Sequence, residues 1–148
     1  MEDGCKVDEV TPDFTINDEL YYIDEHAIVN YVPTWTTRTT GCPTSFHIYR
    51  VINGVDTVLS AHELAALTWD PTDASLDLHT DDYTLDGETW NIKIVKRSTH
   101  SETVSQDGVY QFNIEFKDKC WDSVLTAPNA IGDPFNFDLW SLQTLTFS

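Results

Sequence analysis

Apolar and polar residues alternate with a period of two along most of the chain, which predicts β-strands, and long helical periodicity is nearly absent. Tyr21, Ile23 and then Ile28 to Val32 predict one strand or a broken pair, ending at Pro33. Ser45 to Ile52, with Phe46, Ile48 and Arg50 toward one side, and Val55 to Ser60 flank Asn53-Gly54. Those two residues tolerate positive φ and so favour a tight hairpin turn. Ala61 to Ala66 is the one plausible helical turn, with Ser60 as its cap. Asp70-Pro71-Thr72-Asp73 predicts a turn, and Ser75 to His79 alternates cleanly. A further strand is expected to start near Tyr83, turn at Asp86-Gly87 and continue from Thr89 to Val95. After a polar loop from Lys96 to Gln106, Val109 to Phe116 is the clearest strand of all. Seven or so short strands separated by turn signals predict an all-β antiparallel sandwich.

The end of the chain has a different pattern. Trp121 to Asp133, holding Pro128 and Gly132, reads as a linker to an apolar strand, Phe135 to Phe147. Phe135, Phe137, Leu139, Leu145 and Phe147 share one face of it, with Trp140 and Leu142 on the other. An apolar strand without a partner invites aggregation, so this one must pair with its own sandwich or with another molecule.

That end also repeats the beginning. At an offset of 115 residues Asp3 falls on Asp118, Cys5 on Cys120, Thr11 on Thr126, Ile16 on Ile131 and Asp18 on Asp133. One residue of slippage then aligns Tyr21 with Phe135, Ile23 with Phe137, Asp24 with Asp138, Ile28 with Leu142 and Tyr31 with Leu145. A period near 115 is the size of one sandwich domain. The expected organisation is therefore residues 1–19 as the end of a preceding repeat, 20–120 as one domain, and 121–148 as linker and first strand of the next. Among the cysteines, this register makes Cys42–Cys120 the expected bridge within the domain and leaves Cys5 unassigned; three reduced thiols are the alternative.

Eight Lys and Arg against 25 Asp and Glu give a net charge of −17, which excludes nucleic acid as a partner because phosphate would be repelled. No apolar run is long enough for a membrane span. The acidic start, Met1 to Cys5, does not resemble a signal peptide. A cytosolic protein, a processed product and a piece of a longer chain are all consistent with that, and the repeat favours the last two.

No catalytic signature is present. The five histidines are scattered, and phosphate loop, nucleophile elbow and zinc-ribbon spacing are all missing, so no enzyme is expected. His79 with Asp81, Asp82 and Asp86 reads as a solvated turn before it reads as a metal site. Asp13, Asp18, Glu19 and Asp24, near the expected domain junction, form a candidate Ca²⁺ cluster of the interdomain kind; otherwise no cofactor is expected. The stretch Thr34 to Thr44 reads either as a β-branched strand or as an exposed segment for O-linked glycan attachment. Asn-x-Ser/Thr sequons are absent.

The phrase Asp107 to Cys120, continuing through Val124-Leu125-Thr126-Ala127-Pro128, resembles an Ig-like or cadherin-like module that recurs in tandem in large surface or secreted structural proteins of protists and algae. The resemblance covers about 40 residues directly and implies an Ig-like β-sandwich, an extracellular structural role and no catalytic residues. Joined to the repeat, it gives the expectation of a subunit that polymerises head to tail with itself into an extracellular filament, the Phe135 to Phe147 strand filling a groove in the next unit. The alternative is a Ca²⁺-dependent adhesin or carbohydrate-binding module with Trp35, Trp69 and Trp90 as stacking platforms.

Overall fold

The computed structural model describes Cys5 and residues 9–23, 28–99 and 107–120. Ten strands are found there: β1 (Val10–Pro12), β2 (Glu19–Tyr22), β3 (Val29–Tyr31), β4 (Trp35–Thr37), β5 (Thr44–Ile52), β6 (Val55–Thr57), β7 (Leu67–Trp69), β8 (Leu76–Leu78), β9 (Thr89–Ser98) and β10 (Gly108–Lys117). A single short helix, α1 (Ala61–Ala66), joins β6 to β7.

Three sheets result, in the orders β2-β10-β9-β5-β6, β3-β8-β7 and β1-β4. The opening strand is split. β1 pairs with β4, just beyond β3, and the chain then crosses over residues 13–18 to lie as β2, parallel to β10. Every other pairing is antiparallel. A split first strand running parallel beside the last, with a five-stranded layer facing a three-stranded one, is an immunoglobulin-like sandwich.

Alternation explains which side chains enter the core. Tyr110, Phe112, Ile114 and Phe116 from β10 meet Trp90, Ile92 and Ile94 from β9, and all are buried. Leu67, Leu76 and Leu78 from the smaller layer complete the cluster with Tyr21, Ile23 and Tyr31. At its centre Trp90 is 0% exposed, its ring 4.7 Å from that of Phe116 in an edge-to-face pair. Such pairs add about 0.5–1.5 kcal/mol to the burial itself.

The hairpin lies where Asn53-Gly54 predicts it, with φ of 53° and 79° at the two turn residues, as a type I′ turn requires. The helix cap is also as expected: Ser60 Oγ accepts from the backbone N–H of Glu63, while Glu63 Oε2 accepts from the N–H of Ser60 at 2.5 Å. In place of the strand expected near Tyr83 there is a 3-10 turn, Tyr83–Leu85, because Asp82 caps it through the N–H of Thr84 and buries Leu85. Strands β1 and β7 were not expected; three residues are too few to display a period.

Two expectations about the chain's ends need correction. Val10 is buried and β1 pairs within this sandwich, so the domain begins ahead of residue 20. The disulfide is Cys5–Cys42, with Cα atoms 5.5 Å apart, and not Cys42–Cys120. Register supplies the reason. Thr44 pairs with Ser98, and Gly108 pairs with Lys96, so Cys42 sits at the pole where β10 begins. Cys120 follows the other end of β10, about 30 Å away at roughly 3.4 Å per residue.

Candidate docking edge

The two layers end differently at their two sides. On one side β6 closes the larger sheet and β7 the smaller, and α1 carries the chain between them. There Glu63, 5% exposed, accepts from Arg50 Nη1 at 2.6 Å, and the Arg50 guanidinium lies 5.1 Å from the centre of the Trp90 ring. Burial alone would raise the Glu63 pKa, but the hydrogen bonds from Arg50 and Ser60 and the Arg50 charge outweigh it and hold the carboxyl below its ordinary range.

On the other side β2 and β3 are the terminal strands of their sheets, each with a strand partner on one side only among the described residues. Between them lies a cleft of about 370 Å³, walled by Phe14, Ile16 and Glu19 on the crossover side and by Asn30, Tyr31 and Val32 on the other. Phe14 is 47% exposed and Val32 56%, so apolar side chains stand open to solvent there among polar ones such as Asn17 and Asn30. Tyr31 is only 8% exposed, its ring packed 4.8 Å from that of Phe112, yet its hydroxyl has no hydrogen-bond partner among the described residues. Burial first, and the negative charge of Glu19 second, push its phenol above the usual range. A buried hydroxyl left unpaired costs about 1–3 kcal/mol, which makes the cleft an unfinished surface.

The crossover that forms one wall is held by polar anchors. Asp13 Oδ1 accepts from the Thr36 hydroxyl at 2.6 Å, and the Asp13 N–H donates to the Thr34 carbonyl at 3.1 Å. Asp18 accepts from the backbone N–H of Asn113 at 2.8 Å and from its side-chain amide at 3.2 Å. Those two bonds, the backbone one foremost, lower its pKa.

The candidate Ca²⁺ residues are thus engaged separately: Asp13 with β4, Asp18 with β10, and Glu19 on β2, while Asp24 lies outside the described residues. Among the described residues no three of His, Cys, Asp or Glu gather as a metal group. Asp82 caps the 3-10 turn and meets His62 at 3.2 Å, and Asp86 accepts from the N–H of Asp118. Of the three tryptophans expected as platforms, Trp90 is a core residue and offers no face to a sugar. Trp35 and Trp69 are half-buried against the core, with the Lys96 ammonium 5.6 Å from the Trp35 ring centre. Thr34 to Thr44 contains β4, so its strand reading holds for Trp35–Thr37. The assembly-strand residues Phe135, Phe137, Leu139, Trp140, Leu142, Leu145 and Phe147 lie outside the described residues.

Sequence reasoning missed this edge. Phe14 has no element assigned to it from the sequence, Val32 reads only as the end of a strand, and nothing local marks a strand as one at the edge of its sheet.

No protein-family model matches the chain, and no curated protein does. Among solved structures it is similar to the crystal structure of human mucin-like protocadherin EC1-2, with a TM-score of 0.49 and 10% identity over 76% of this chain. The match spans 55% of that chain, about half its length.

Proposed function

We propose that this chain is a non-enzymatic structural module of an extracellular assembly that joins copies of itself head to tail by β-strand addition. The observation that carries the reading is the open β2–β3 edge, where a cleft of mixed polar and apolar lining, with a buried unpaired hydroxyl beside it, lies between two strands that have no outer neighbour among the described residues. An extended peptide is the ligand such an edge suits, because a strand brings backbone donors and acceptors together with side chains for the cleft.

Two further observations support it. The Cys5–Cys42 disulfide is at home in an oxidising, extracellular setting. The first copy of the internal repeat contains β1, β2 and β3, with Tyr21, Ile23 and Tyr31 in the core, so residues 118–147 carry the pattern of strands that open a sandwich. A tandem surface module, of the kind that Asp107 to Pro128 resembles, would have that organisation, with exposed threonines such as Thr34 and Thr40 as places for O-linked glycans. No helix of the described residues is long and apolar enough to cross a membrane.

Sedimentation velocity over a range of concentrations, joined to electron microscopy of the non-reduced protein, tests the reading. Fibres with an axial repeat of one domain are expected; monodisperse single domains at every concentration would overturn it.

A further inference from the structure

We infer that the β2–β3 cleft is the acceptor and that its occupant is the Phe135 to Phe147 segment of a second copy of this chain, added along β3 as a fourth strand of the smaller sheet. This rests on the strand-addition reading above and specifies its site.

The backbone supplies the first argument. Among the described residues β3 pairs with β8 alone, and alternate residues of an antiparallel strand turn their N–H and C=O away from the partner, here toward the cleft. The side chains supply the second. Phe14, Ile16 and Val32 give the cleft apolar contacts among polar ones, and Tyr31, which also lines it, has a hydroxyl shut from solvent and without a partner among the described residues.

The chain itself supplies the third. β10 ends at the pole opposite the Cys5–Cys42 bridge, and 28 residues follow Cys120. The 14 residues from Trp121 to Pro134 can span about 45 Å when extended, more than the roughly 30 Å of β10, so the segment can reach a copy stacked at that pole. In the repeat, Phe135 and Phe137 correspond to Tyr21 and Ile23, and Leu145 to Tyr31. The segment therefore bears the apolar spacing that already packs at the inner side of these same two strands.

The β6 side also exposes apolar residues, Ile52, Val55 and Val58. It is the weaker candidate. β3 is equally short, but β6 carries the charged Asp56 at its centre, bonded to Lys93 at 2.8 Å, and a charge at that place blunts an edge against pairing.

The test uses two full-length variants and one peptide. Val32→Glu places a charge on the cleft rim at an exposed position, and Val58→Glu does the same beside β6. The first is expected to weaken self-association at least about a hundredfold, since a charge buried without a partner is strongly disfavoured, while circular dichroism stays unchanged. The second is expected to assemble like the wild type. A synthetic peptide of residues 134–148 should shift the amide resonances of Asn30 to Val32 in the isotope-labelled protein. Assembly that survives Val32→Glu, or peptide shifts centred on Val55 to Val58, overturns the cleft and leaves strand addition standing. A wild-type chain that is monomeric at all concentrations removes both.

Discussion

Where β6 gives way to α1 and β7, a buried carboxylate has every partner it needs; where β2 faces β3, a buried hydroxyl has none among the described residues. Glu63 receives hydrogen bonds from Arg50 and from both the N–H and hydroxyl of Ser60, and the guanidinium that pairs with it covers Trp90. Tyr31 is buried to nearly the same degree and packs its ring well, but its oxygen is shut from solvent without a partner among the described residues. Both groups are penalised for leaving water, the carboxylate more heavily than the hydroxyl. One side of the sandwich meets that penalty from within, and the other does not among the described residues. A domain that needed only to be stable would gain from finishing both edges.

The comparison can be broken at several points. Trp90→Ala should cost the most, about 3–5 kcal/mol, because it empties the core and removes the surface on which Arg50 lies. Urea denaturation measures it; a loss below about 1 kcal/mol would mean that the closed side is not built on Trp90. Cys5→Ser comes next. It opens a bridge between residues 37 apart and should cost about 3–4 kcal/mol on the chain-entropy argument, with the same loss in wild-type protein treated with reductant. If reduction leaves the midpoint unchanged, the bridge is absent in solution.

Glu63→Ala should cost about 2–3 kcal/mol, since it strands Arg50 and removes half of the capping box. Its pH dependence gives a sharper test. The folded carboxyl lies below its ordinary 4.5, so the stability it contributes is present above that pH and is lost as pH falls through the lower, folded value. The variant should therefore show a flatter acid limb in a stability-against-pH series, and an unaltered slope would sink the assignment. Gly108→Ala should cost least, about 1–3 kcal/mol. A Cβ there would stand 2.6 Å from Val10 Cγ1 and 2.7 Å from Trp35 Cδ1, so β1 and β4 would have to lift from the start of β10. Neither this variant nor Cys5→Ser should disturb Glu63, because each acts at the pole where β1 is fastened.

How much of this was legible in the sequence follows from length and locality. β5, β6, β9 and β10 and the hairpin turn could be read because each carries enough alternation, or a turn pair whose backbone demand is local. The α1 cap was legible for the same reason. The bridge was not. Cys5 and Cys120 occupy equivalent places in the repeat, and only the register of β5, β9 and β10 shows which pole holds Cys42. Trp90 could not be told from an exposed tryptophan, since Thr89–Ser98 alternates in either orientation and the choice depends on the facing sheet. The cleft was least legible of all. It exists because the chain leaves β1 and crosses to β2, a topological event that no single residue announces.

Hydrogen exchange by mass spectrometry, on the full-length non-reduced chain at low and at high concentration, tests the open edge most directly. The account expects peptides covering residues 28–34 to become markedly better protected at high concentration while those covering 55–60 do not change. Equal protection of both at every concentration, or a gain confined to β6, would contradict it.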